Sequence, residues 1–402
     1  MANTKEGQNK QRADSGSTIL SQAANGPPVY VNWIAAQSIR PVLQTVEFRL
    51  LTDAQVTGEA KQGPYQFLNA VPRHAAKVVQ AAILMRVDIH IEFPPPDMTK
   101  TDADRYHAGS FQDEVAALSS LALGVRFKAG GVSRSFEPGG DPKGRPHEWD
   151  ANPVAEMVIR SHREQLVVAS AAEGSHPLDA LSVLGQLPRL SAPDAVALVR
   201  AARLYQDALW LVESEPELAW LMLVSAVETA ANRWGRSIKE SAVERLKDAK
   251  PKLHQILEGV HVPGLVEIVA EEIADSLGST RKFIDFVMRF LPPPPGKRPP
   301  EAFQFPWDQK EMRKALGVIY DYRSKALHKG IAFPYPMCTP HFRDVNWTAP
   351  SERPVGMATS AGGGTWVAKD TPLLLHVFEY IARNSLLGWW RESAGQDKTA
   401  AA

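Results

Sequence analysis

The sequence predicts an α+β protein: a mixed α/β region in the N-terminal half, followed by an all-α helical bundle. Three observations carry this. Residues 85–93 alternate Met85, Val87, Ile89, Ile91 and Phe93 with Arg86, Asp88, His90 and Glu92, the period of a half-buried strand. From Ser191 onward, apolar residues recur at helical spacing in one segment after another. One of these, residues 218–227, is apolar nearly all round, as a central buried helix is. A chain of 402 residues holds about two domains.

Taken in order, residues 1–28 are polar and close with Gly26-Pro27-Pro28, the composition of a disordered tail. A mixed α+β domain of unassigned role is expected over 29–190. Within it, 45–51 and 85–93 read as strands, the second ended by Pro94-Pro95-Pro96. Residues 111–123 read as a helix with Val115, Leu118, Leu121 and Ala122 inward. The turn-rich stretch 130–150 reads as a loop or hairpin. Residues 159–170 fit strand and helix equally.

A helical domain is expected over 191–392. Ser191 with Asp194 resembles a capping box, and Pro193 suits a first turn. Leu198, Ala202, Tyr205, Leu209 and Val212 then share one face. Ser214-Glu-Pro216 starts a second helix reaching about Trp234. Glu228 lies in its apolar stripe with Leu221, Val224 and Ala231, where a carboxylate needs a partner. Shorter helices are expected at 241–249, 252–258, 265–277 and 280–290. Pro292–Pro295 and Pro299-Pro300 read as a stiff connector. Residues 331–370, rich in prolines and glycines, read as an irregular surface wrap that includes a loop at 361–365. A closing helix over 371–391 has Leu375, Phe378, Ala382, Leu386 and Trp389 on one face, and 393–402 reads as a frayed tail.

The chemistry concentrates in the helix between the connector and that wrap. Asp308 with Glu311 marks its start and Gly330 its stop. Met312, Leu316, Ile319, Ala326 and Leu327 form its apolar stripe. Arg323 sits in that stripe, where a guanidinium must find a partner or line a cleft. His328 follows in the last turn, with Ser324 one turn before it. Tyr320, Asp321 and Lys325 are candidates for supporting roles.

The spacing Arg323-x4-His328 followed by Lys329-Gly330 resembles the signature of HEPN domains, and the Apea-like branch in particular. The resemblance covers roughly residues 191–392 and rests on three features in order. These are a long helix with an embedded Glu228, the Arg323…His328 helix, and a closing Leu- and Arg-rich helix. It implies a metal-independent endoribonuclease whose Arg and His form a site across a homodimer, with a role in stress or phage defence. Such a site cuts RNA by moving a proton from the 2′-OH and one to the 5′ oxygen. It also stabilises the charge that grows on phosphorus, and leaves 2′,3′-cyclic phosphate ends. Five residues of helix separate the two side chains by about 140°. Either the helix unwinds at His328 or two chains compose the site. A simpler reading of Arg323 is an ion pair with Glu228 that fixes helix packing. A second functional reading is a HEPN-fold interaction or nucleotide-sensing module without catalysis. It is favoured by Ser324, where many catalytic members carry Asn, Asp or His.

Other classes are set aside on composition and motif. Lys plus Arg equals Asp plus Glu at 45 each, so any RNA contact must be local rather than a broad basic surface. The helix over 308–330 is locally basic, with six Lys or Arg against three Asp or Glu. A single cysteine, Cys338, excludes a disulfide framework and a multi-cysteine zinc site within one chain. Eleven histidines show no ligand spacing, so neither a metal nor another cofactor is expected. Gly139–Gly144 lacks phosphate-loop spacing and reads as a turn. No apolar run spans a bilayer and the first residues lack an apolar leader segment, so a cytoplasmic protein is expected. A regulatory ligand or protein is expected to act at the N-terminal domain.

Overall fold

The computed structural model describes residues 25–38, 40–69, 79–92, 97–101, 109–147, 166–235, 241–273 and 278–395. It is a mixed α+β structure with a helical C-terminal half. The first element, helix α1 (Pro28–Gln37), replaces the end of the expected tail. Pro28 begins it instead of closing a tail, because proline lacks only an N–H that a helix start leaves unbonded anyway. Val29, Tyr30, Trp33, Ile34 and Ala35 are buried. The Val29 N–H, one of the orphan donors of a helix start, is taken by Glu114 Oε2 at 2.9 Å.

Strands β1 (Gln44–Thr52), β2 (Gln55–Thr57), β3 (Ala60–Gln62), β4 (Tyr65–Asn69) and β5 (Gln80–Ile89) follow. After them come helix α2 (Phe111–Leu123), β6 (Lys128–Phe136), β7 (Arg145–Pro146) and β8 (Ser175–Pro177). Six of the strands make an antiparallel sheet in the order β3-β4-β5-β1-β6-β7, and β2 pairs with β8 in parallel. The expected strand at 85–93 starts earlier and ends at Ile89. Past that point the Asn32 side chain takes over, accepting the His90 N–H at 2.8 Å. Pro94–Pro96 lie outside the described residues, as does most of 159–170. Of the stretch 130–150, the described residues to 147 hold the β6–β7 hairpin, with Gly139 and Gly144 at positive φ in its connection, and 148–150 lie outside the described residues. Helix α2 has the expected bounds. It is fixed by a reciprocal Ser110–Asp113 capping box and by Gly124 in the left-handed region.

The helical half comprises α3 (Ala192–Leu211), α4 (Pro216–Gly235), α5 (Ala242–Ala249), α6 (Pro251–Gly259), α7 (Leu265–Ile273), α8 (Ser279–Arg289), α9 (Gln309–Lys329) and α10 (Leu375–Ser393). Trp220 of α4 is wholly buried, stacked between Phe333 (5.3 Å) and Phe378 (4.9 Å), and its indole N–H donates to Met337 O. One buried apolar cluster runs from Val29 to Ala394 across residue 190. Arg383 of α10 ties the two regions further by donating to the carbonyls of Leu121 and Ala122 (2.9 and 2.5 Å). Helices α5–α7 form a separate small cluster around Leu246 and Ala270.

Two further expectations change. Residues 361–365 are not a plain loop. Strands β9 (Ala358–Ala361) and β10 (Gly364–Val367) pair through Gly362 and Gly363, both at positive φ, as a two-residue hairpin demands. The closing helix starts at Leu375 rather than 371, with its expected face buried throughout. The proline connector is held down. Trp307 Nε1 donates to Pro292 O and Tyr380 Oη to Pro293 O. Among the described residues no helix is long and apolar enough to cross a membrane.

Candidate active site at the end of helix α9

The ends of α9 are set locally. The Asp308 carboxylate accepts from the N–H groups of Lys310 and Glu311, both at 3.0 Å. Glu311 turns to Lys314 instead of closing the box. At the other end Gly330 adopts φ 63°, and its N–H reaches Ala326 O at 3.2 Å. The helix is therefore intact through Lys329, and His328 is not at an unwound turn.

Burial divides the helix in two. Met312, Ala315, Leu316, Ile319 and Tyr320 are buried, whereas no side chain beyond Tyr320 is. Ala326 still packs on the core, but Leu327 does not belong to the stripe: it is 52% exposed. The last turn projects past the neighbouring helices into solvent. Ile331 and Tyr335, which follow the helix in the chain, are also about half exposed.

The candidate residues sort into two groups. Glu228 on α4, Tyr320 and Arg323 come together. Tyr320 Oη donates to Glu228 Oε1 at 2.7 Å, and Arg323 Nη2 donates to Glu228 Oε2. The guanidinium also lies 5.5 Å from the Tyr320 ring centroid. Glu228 is half-buried rather than sealed in, and the pair's side chains keep 16% and 18% of their exposure. Phe283 also packs on Tyr320, with ring centroids 5.3 Å apart. Burial first, then the hydrogen bond and charge of Glu228, push the Tyr320 phenol up to about 12. It therefore stays protonated and donating. Arg323 Nε is buried without a partner, so the guanidinium has donor capacity beyond Glu228.

The remaining candidates stand apart. His328 is exposed in the last turn. Lys325 pairs with Asp321 at 2.6 Å on the outer face and lies 5.4 Å from the Tyr322 ring. Ser324 is half-buried and makes no side-chain hydrogen bond among the described residues. Within one chain, then, Arg323 is anchored by Glu228, and His328, about 140° further round the helix, makes no hydrogen bond or ion pair among the described residues.

No family model, curated protein or solved structure matches this chain.

Sequence reasoning missed a second polar cluster. Arg126, 1% exposed, pairs with Asp53 at 2.8 Å and lies 3.9 Å from Glu213. Burial raises the Glu213 carboxyl, while the N–H of Val167 (2.8 Å) and Arg126 pull it back. The three residues come from distant parts of the sequence, so no local spacing announces them. Among the described residues, no group of three or more His, Cys, Asp or Glu is placed to hold a metal ion.

Proposed function

We propose that the end of α9 is half of a metal-independent endoribonuclease site, completed by a second copy of the chain, as the likeness to Apea-like HEPN domains implies. What supports the reading is the split arrangement of one intact helix. Arg323 is held by a carboxylate that a phenol also bonds, while exposed His328 lies about 140° around the axis, in a stretch of chain that also exposes Leu327, Ile331 and Tyr335. Large apolar side chains exposed within nine residues of chain at a helix end are what an interface can cover.

The chemistry follows from the side chains. A histidine exchanges protons near neutral pH. His328 of one copy takes the 2′-OH proton while water protonates the departing 5′ oxygen, or the two exchange these roles. The 2′ oxygen attacks phosphorus, the P–O5′ bond breaks, and a 2′,3′-cyclic phosphate and a 5′-OH remain. Arg323 supplies fork-shaped donors to the non-bridging oxygens. Glu228 and Tyr320 act through Arg323 and fix its orientation. Exposed Lys329 adds local positive charge for RNA.

A second reading, a non-catalytic HEPN-fold interaction module, is favoured by one observation: the ion pair with Glu228 gives Arg323 a packing role. The two separate in an RNA cleavage assay in EDTA with Arg323→Ala and His328→Ala variants. The ribonuclease reading expects cyclic-phosphate ends from the wild type and at least a hundredfold loss in each variant. Equal cleavage by all three proteins, or none by a folded and self-associated wild type, favours the module.

A further inference from the structure

Away from α9, a cleft of about 460 Å³ opens between the end of α2, the segment 169–176, the proline connector and α10. That volume lies within the roughly 300–1,000 Å³ range of small-molecule sites. Three basic side chains line it, Lys297, Arg343 and Arg383. Its two carboxylates are already engaged. Glu352 accepts from Arg298 Nε (2.7 Å), Arg298 Nη2 (2.5 Å) and the Phe305 N–H (2.7 Å). Glu379 accepts the Tyr205 hydroxyl, and burial shifts its pKa upward, towards the neutral acid. Arg383 donates to backbone carbonyls, and its charge also acts on Glu379. Lys297 and Arg343 are exposed and make no ion pair among the described residues. Through Lys297 and Arg343 the cleft therefore carries positive charge that no ion pair offsets among the described residues, in a chain that is neutral overall.

Another part of the wall offers different chemistry. The rings of His341 and His376 lie 5.1 Å apart, and both Nδ1 atoms are buried without a partner. His341 is only 6% exposed. Both residues line the cleft, and buried polar atoms are almost always bonded, so two unbonded ring nitrogens within one wall leave polar capacity there for a ligand. Burial lowers the pKa of both imidazoles. They are neutral at pH 7 and add no charge of their own. Tyr380, whose hydroxyl is tied to Pro293 O, gives the same cleft an aromatic surface.

We propose that this cleft binds a small ring-bearing phosphate monoester. Its phosphate is held by the basic side chains Lys297, Arg343 and Arg383, and its ring edge by His341 and His376. The ligand touches α2 and the 169–176 segment on one side and α10 on the other, so it bridges the sheet-bearing half and the helical half. The assignment does not depend on RNA cleavage, and its test reads binding alone.

The test is isothermal titration calorimetry of the full chain in phosphate-free buffer. The probes are the four ribonucleoside 5′-monophosphates, glucose 6-phosphate, the parent nucleosides, inorganic phosphate and a 5′-phosphorylated trinucleotide. At least one monoester is expected to bind one per chain, at least tenfold tighter than its parent nucleoside or inorganic phosphate. Lys297→Ala and Arg343→Ala, both at exposed positions, and His341→Ala should each weaken it about tenfold. Arg323→Ala and His328→Ala should leave it unchanged. The proposal is overturned if no monoester binds at millimolar concentration, or if the cleft variants bind as the wild type does. It is also overturned if phosphate alone binds as tightly, or if only the trinucleotide binds.

Discussion

Replacing Glu228 by Gln removes the charge that holds Arg323 while keeping the side chain's size. The carboxylate accepts two bonds, one from a guanidinium and one from a phenol. Exposed ion pairs contribute about 0–1 kcal/mol, and breaking a fully buried one costs about 3–5 kcal/mol. At 16% and 18% exposure this pair lies between them, so Glu228→Gln should cost about 2 kcal/mol, a fall of roughly 2–4 °C in Tm for a chain of this size. A cycle with Arg323→Gln should show a coupling of about 1–2 kcal/mol. Tyr320 gives an independent readout. Its titration at about 12 is raised first by burial and then by Glu228. In Glu228→Gln it should therefore fall partway towards 10, followed by NMR of ring-labelled tyrosine. An unchanged Tm, a coupling near zero and an unmoved Tyr320 titration together would refute the idea that Glu228 organises this corner.

Other outcomes follow from the same structure. Glu114 is pushed up to about 8 by burial, against an ordinary value of 4.5, so the native state keeps a proton that the unfolded chain releases over that range. Stability should be full below about pH 4.5 and fall by a few kcal/mol as pH rises to 8, and Glu114→Gln should flatten that slope in pH-resolved denaturation. Gly330→Ala meets no atom within 4 Å but keeps φ at 63°, so it should cost only the left-handed penalty of about 1 kcal/mol; a loss several times larger by thermal denaturation would mean the cap is misassigned. Cys338 is buried, with its thiol pushed up to about 12, and should react with thiol reagents at pH 8 only as fast as the protein opens; rapid stoichiometric labelling of the native chain contradicts this. Leu327→Glu and Ile331→Glu should leave the fold within about 0.5 kcal/mol yet weaken self-association at least tenfold by sedimentation; unchanged association removes this stretch as an interface.

Elements with explicit end signals were the most legible in the sequence. Asp308 and Gly330 bracket α9, because capping chemistry is local; α2 was legible from its inward face of Val115, Leu118, Leu121 and Ala122, and the structure adds Ser110, Asp113 and Gly124 as its end signals. Helix α1 escaped notice for a physical reason. Six of its ten residues are buried, Asn32 among them, so it has no amphipathic period, and Pro27-Pro28 reads as a break. The Glu228–Arg323 pair was legible because a charge inside an apolar stripe demands a partner. Tyr320 as the second donor was not, since a tyrosine on the core face reads as packing. The cleft histidines His176, His341 and His376 meet only through the tertiary fold, and no spacing along the chain joins them. Leu327 misled because helical periodicity continues past the point where the neighbouring helices stop covering α9.

The claim that two chains compose one site is tested most directly by mixing dead variants. Arg323→Ala and His328→Ala chains are purified, shown to be folded, and exchanged into mixed assemblies, and RNA cleavage is measured in EDTA. One site of each mixed dimer then combines an intact Arg323 from one chain with an intact His328 from the other, and its second site has neither. Each variant alone should be inactive, and the mixture should recover up to about a quarter of wild-type activity: half the assemblies are mixed, and each has one working site of two. A mixture as inactive as its parents, from demonstrated mixed dimers of a chain whose wild type cleaves, would contradict a site shared between copies.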